Sequence, residues 1–245
     1  MRPLSSHLSA HSGSLRLLSF LRFVGVAAGA AISLRAPFDG TIEAQLIHSR
    51  DGVTWHRFAD RSPLIPRGTQ RGGFDSGCVL CSASAPVQSR DGQRTLHFYT
   101  GINTSHGGPM PPKRIAIGLA SWRRDGFVSL DAGAYEATVL TRAVRAEGGG
   151  AAVLELNVDA SAGSLRVALL PAEAETAEAE PLPGFATADC EVVESDSVGI
   201  VVRWRAGPSL PSSAFRILFE MVDASLFTFR LRPAGDDEAG AAPRL

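Results

Sequence analysis

The sequence predicts an all-β chain in two parts, and three observations carry that reading. Apolar runs of about five to nine residues are broken by Gly, Pro, Asp and Ser clusters, the spacing of short strands and turns. An Asp-Gly pair recurs as "SRDG" at 49–52 and 89–92 and as "RRDG" at 123–126, a turn signal because Gly takes positive φ freely and Asp closes an Asx turn. No stretch sustains a 3.6-residue apolar period over three helical turns.

Taken in order, the chain opens on a segment, 1–38, that precedes the first acidic residue, Asp39. It is rich in Arg and Ser and holds one apolar run, "FVGVAAGAAISL". This reads as a targeting leader, either secretory with Ala28-Gly29-Ala30 as a cleavage site or organellar, or as the poorly folded edge of a truncated product. The run is too short for a stable membrane span. From Ile42 the strands begin: "TIEAQLIHS", "TWHRF", a Pro/Gly/Arg loop at 59–73, "CVLCSASAPV", "TLHFYTGI", the loop "NTSHGGPMPPK" and "RIAIGLASW". After Phe127 the strands become more aliphatic, from "FVSLDAG" and "AAVLELNVDA" to "FRILFEMVDA" and "LFTFRL". Two packed antiparallel sheets, a sandwich or jelly roll, would bury such strands. The acidic stretch 171–183 reads as a solvated surface insertion between two strands, and 233–245 as a disordered tail.

Composition excludes more than it identifies. A formal net charge of −1 argues against nucleic acid as a partner. The basic residues, all arginine but for Lys113, are scattered rather than clustered. Three cysteines form no disulfide framework. Cys78 and Cys81 have metal-ligand spacing, but on a strand positions three apart face opposite ways, so no metal is expected there. No nucleophile elbow, P-loop, dinucleotide-binding glycine motif or zinc-protease motif is present, and no cofactor is expected.

Together "QLIHSRDGVTWHRF", "FDSG", "YTGINTSHGG", "KRIAIGLASWRRDGFVSLDAG", "GFATADC" and "VRWRAG" resemble the last part of a group of glycoside-hydrolase-like proteins. That group is similar to the five-bladed β-propeller glycosidases of the invertase-like and arabinanase-like families, and carries a C-terminal β-sandwich. The resemblance runs from about residue 40 to 232 and implies a partial propeller over 39–127, a sandwich over 128–232 and carbohydrate as substrate or ligand. A whole propeller of this kind takes about 300 residues, so 39–127 would supply about two blades. The acidic residues that cleave sugar in such propellers come mainly from earlier blades, and the chain reads as N-terminally truncated relative to them; the alternative reading is a non-catalytic carbohydrate-binding or structural β module, or an inactive fragment.

On a propeller blade the strand connections alternate between two faces. The loop before "CVLC", holding Asp75, and the loop holding Asn103 and His106 then share one face, while the Asp-Gly turns fall on the other. The candidate site is therefore Asp75 as the carboxylate, Asn103, His106 and Arg71 as hydroxyl-binding partners, and Arg67 approaching from the same loop. Sugar hydroxyls need both donors and acceptors, and cleavage needs two carboxylates, of which one is visible. Asp75 and His106 keep an alternative reading, as a turn cap and a surface loop residue. Trp55, Trp122 and Trp204 read as packing residues, Trp204 filling the second core.

Overall fold

The computed structural model describes residues 22–28, 39–146 and 151–235. The leader reading of 1–38, apart from 22–28, and most of the tail lie outside the described residues. Among the described residues every regular element is a strand save one 3-10 turn at Thr187–Asp189, and none of the three sheets closes on itself. The described residues before 123, other than 90–93, form one compact unit, and 90–93 join those from 123 onward in a second.

The first unit is an eight-stranded sheet. Its strands are β1 (Arg22–Ala28), β2 (Thr41–His48), β3 (His56–Arg57), β4 (Pro63–Ile65), β5 (Cys78–Cys81), β6 (Val87–Gln88), β7 (Arg94–Ile102) and β8 (Ile115–Arg123). The apolar run of the expected leader contributes β1, antiparallel to β2 with Arg22 opposite Ile47 and Ala28 opposite Thr41. The expected single strand "CVLCSASAPV" is two strands: β5 and β6 both pair with β7, and the bend at 82–86 between them ends at Pro86, which cannot donate to the ladder. Within β5, Val79 and Cys81 join a small core with Ala44 and Ile65, while the Cys78 thiol donates toward the Gly40 and Thr104 carbonyls. Burial raises both thiol pKa values, that of Cys81 to about 11.

Two of the three Asp-Gly turns follow the sequence argument. Gly52 and Gly92 have positive φ, 74° and 67°. Asp51 accepts from the Val53 and Thr54 amides at 2.8 and 2.7 Å and from the Ser49 hydroxyl at 2.9 Å, and these donors hold its carboxylate well below the ordinary range. At the third turn it is Asp125 that takes positive φ, 52°. The two arginines before it fix the turn: Arg123 bonds Asn157, Asp196 and the Val158 carbonyl and covers the Phe227 ring, and Arg124 donates to the Val198 carbonyl.

The second unit has a three-stranded sheet, β10 (Ala137–Leu140), β14 (Phe215–Val222) and β12 (Ser164–Pro171), and a four-stranded one, β13 (Asp196–Val201), β11 (Ala152–Asp159), β15 (Ser225–Pro233) and β9 (Leu130–Asp131). One apolar core joins them: Leu154, Leu156 and Val158 of β11 with Leu165, Val167 and Leu169 of β12 and Phe215, Ile217, Phe219 and Met221 of β14. The period of two along each strand is what sends these side chains to one face. Trp204 lies in this core, its indole N–H donating to the Val167 carbonyl at 2.8 Å.

The acidic stretch behaves differently from a solvated insertion. Its glutamates 173, 175, 178 and 180 are exposed, but Ala174, Ala177 and Ala179 pack on Ala168, Leu170 and Leu218. Those three belong to the outer face of the β12–β14 pair, so the segment covers a second apolar surface. This explains why the outer face of β12 and β14 carries Ala168, Leu170 and Leu218 beside Arg166, Arg216 and Glu220, where a solvent-facing side would be polar throughout.

Candidate functional site

The candidate site lies at one end of the first unit. Sequence fixes it through two close approaches. Gly77, last of "FDSG", donates to the Ile102 carbonyl at 2.8 Å, and a Cβ on it would stand 1.9 Å from the Thr104 carbonyl oxygen. Only glycine lets the two loop bases pass so closely. Ser76 adds hydroxyl bonds to the Gly73 and Asn103 carbonyls. Arg67 pairs with Glu43 at 2.8 Å and donates to the Ser76 carbonyl, tying the same loop to β2.

The second loop is closed by Asn103. Its side-chain carbonyl accepts from the Arg114 amide at 2.6 Å and its NH₂ donates to the Pro112 carbonyl at 3.2 Å, so both ends of the amide serve the loop itself. His106 acts through its backbone: its N–H donates to the Gly40 carbonyl and its carbonyl accepts from the Lys113 ammonium, while the ring is exposed. Asp39 completes the tie, accepting from the Gly107 amide at 2.7 Å and the Ser105 hydroxyl at 2.9 Å. Those two donors lower its pKa.

Asp75 is held beneath its loop. The Tyr99 hydroxyl donates to its Oδ2 at 2.8 Å, and a Cβ at Gly68 would meet Oδ1 at 2.2 Å. Burial first, then the Asp75 bond and charge, push the Tyr99 phenol up to about 12, so it stays a donor at all ordinary pH. Among the described residues no hydrogen bond joins Asp75 to Asn103 or His106. The expected cluster is thus one neighbourhood, but its three polar side chains do not converge on a point.

Beside these loops lies an open groove of about 720 Å³, lined on one side by 70–74 and on the other by Met110 and 113–116, and by none of Asp75, Asn103 and His106. Arg71 was expected here and lines it. Phe74, Lys113 and Arg114 are lining residues the sequence reading did not single out. Phe74 exposes 38 % of its surface and stacks on Tyr99 with ring centroids 6.1 Å apart. Arg114 donates to the Gly72 carbonyl at 3.0 Å, fixing one wall against the other. Their signal was present: a lone lysine beside an arginine at the end of a Pro-rich loop, and an aromatic next to the singled-out aspartate.

A second polar cluster escaped the sequence reading. Glu155 of β11 is 6 % exposed and accepts from Arg230 and Arg232 of β15 at 2.6–2.7 Å. Buried carboxylates survive when paired and hydrogen-bonded in this way. Both of its carboxylate oxygens are engaged across the ladder, which makes it structural. Among the described residues no three His, Cys, Asp or Glu side chains gather as a metal site, and no helix is long and apolar enough to cross a membrane. Comparison with protein-family models, curated proteins and solved structures finds no match to any of them.

Proposed function

We propose that the chain is a glycoside-hydrolase-like protein that binds carbohydrate in the groove between its 70–74 and 110–116 loops. In this reading 39–127 is a part of a five-bladed propeller and 128–232 a β-sandwich. The observation that carries it is a groove between residues 70–74, which lead into "FDSG", and residues 110–116, which follow "NTSHGG", with a part-exposed aromatic ring, Phe74, at its wall. Sugar rings present C–H faces that stack on such rings, with hydroxyls left for the polar rim.

Binding is favoured over cleavage by a specific feature. Hydrolysis by the common route needs two carboxylates about 5–10 Å apart across the sugar, and no Asp or Glu lines the groove. Asp75, accepting from Tyr99 and wedged against Gly68, is a positioning residue that holds the 70–74 wall. Calorimetric titration of the full chain against a panel of oligosaccharides tests the reading: at least one class binds, and Asp75→Asn weakens it a few-fold without loss of fold. Release of reducing sugar by the native chain, abolished in Asp75→Asn, would instead make Asp75 catalytic. Absence of binding to every sugar overturns the proposal.

A further inference from the structure

The groove carries charge of one sign. Arg71, Lys113 and Arg114 line it and no acidic side chain does. Elsewhere the described ion pairs occupy Arg67, Arg123, Arg205, Arg230 and Arg232, and none of the three groove cations. Arg114 and Lys113 each donate to a backbone carbonyl, of Gly72 and His106, which places them without neutralising them. The acids nearby in the loops are engaged elsewhere: Asp75 with Tyr99, Asp39 with Ser105 and Gly107, Glu43 with Arg67. Phe74 adds the one aromatic face.

We infer that the ligand of this groove is an acidic oligosaccharide, a chain of sugars bearing carboxylate or sulfate groups; the inference rests on the carbohydrate reading above. Arginine's planar fork matches the two oxygens of a carboxylate or sulfate, and lysine adds a point charge. The ring at Phe74 would take a sugar face between charged positions. A neutral sugar would leave the three cations of the groove without a charged partner.

The test is titration of the full chain with oligomers of galacturonate, a sulfated galactan oligomer and a neutral galactan oligomer of the same length. The acidic oligomers bind about tenfold or more tighter than the neutral one, and their advantage shrinks as salt is raised past the screening of surface charges. Between the two acidic probes, the tighter names the charged group. The double variant Arg71→Gln with Lys113→Gln, which leaves the Arg114 bond to Gly72 in place, removes the acidic preference while thermal melting shows an intact fold. The salt dependence of the native chain supplies an independent reading if the variant is unstable. Equal binding of neutral and acidic oligomers overturns the inference and leaves the carbohydrate reading standing. Binding of no acidic oligomer overturns the inference, and silence of the whole oligosaccharide panel overturns the carbohydrate reading with it. Tighter binding of a single-stranded oligonucleotide of equal charge overturns the inference in favour of nucleic acid.

Discussion

The two units of this chain are built from similar strands but hold together differently. The second unites both of its sheets through one contiguous core that includes Leu154, Leu156, Phe215 and Phe219, all fully buried. The first has a core of Ala44, Ile65 and Val79 with partly buried neighbours, and relies on hydrogen-bonded loops. Apolar burial is worth about 25 cal/mol per Å², so stability concentrates in the second unit. The groove sits on the first, where glycines and backbone bonds set the geometry. Binding loops are commonly drawn from such low-stability regions.

Breaking the stronger half should have the largest effect. Phe219→Ala leaves a cavity at the centre of the second core and costs about 3–5 kcal/mol, read from urea unfolding; a loss under ~1 kcal/mol would mean the core is not shared between the sheets. In the first unit Gly77→Ala forces the two loop bases apart, costing about 2–3 kcal/mol by backbone displacement and removing ligand binding together with stability. Ala174→Asp puts a charge against the outer face of β12 and β14, costing about 1–3 kcal/mol, whereas Glu175→Gln at its exposed neighbour stays within about 0.5 kcal/mol.

A smaller effect separates scaffold from site within the first unit. Asp51→Ala lowers the melting temperature and leaves sugar binding unchanged, because its bonds close the 49–54 turn and the groove lies elsewhere. The effect is pH-dependent in a definite sense. Asp39 and Asp51 are held below their ordinary value of 3.8, Asp39 chiefly by the Gly107 amide and Asp51 chiefly by that of Thr54. Their stabilisation is complete above about pH 4 and is lost as acid protonates them toward the lowered values. The difference between native chain and Asp51→Ala should therefore close in melts at the lowest pH. Least of all in stability, Ile117→Lys on β8 changes unfolding within about 0.5 kcal/mol. It should still raise solubility, since Ile115, Ile117 and Leu119 expose 56, 76 and 53 % of their surfaces on an edge strand.

The all-β class and most strands were legible because period-two alternation and turn residues are local signals. Trp204 was legible for the same reason, flanked by exposed Arg203 and Arg205. What was not legible depended on partners distant in sequence. Nothing near Asp75 shows that Tyr99 caps it, and nothing near Asn103 shows that Arg114 and Pro112 take its amide. The Glu155 pairs were half visible: an acid inside the apolar run "AVLELNVD" and two arginines spaced by two in "FRLR". Their meeting required the β11–β15 register, Glu155 opposite Arg230.

The alternating alanine and glutamate segment at 172–180 carries one more implication. It is a run of turns and bends rather than a strand, and it meets the outer face of β12 and β14 through Ala174, Ala177 and Ala179. Side chains larger than a methyl group would overpack that contact, while the exposed glutamates beside them have room for any polar residue. A saturation library across the segment should therefore show three positions ranked by side-chain volume and their neighbours indifferent to it.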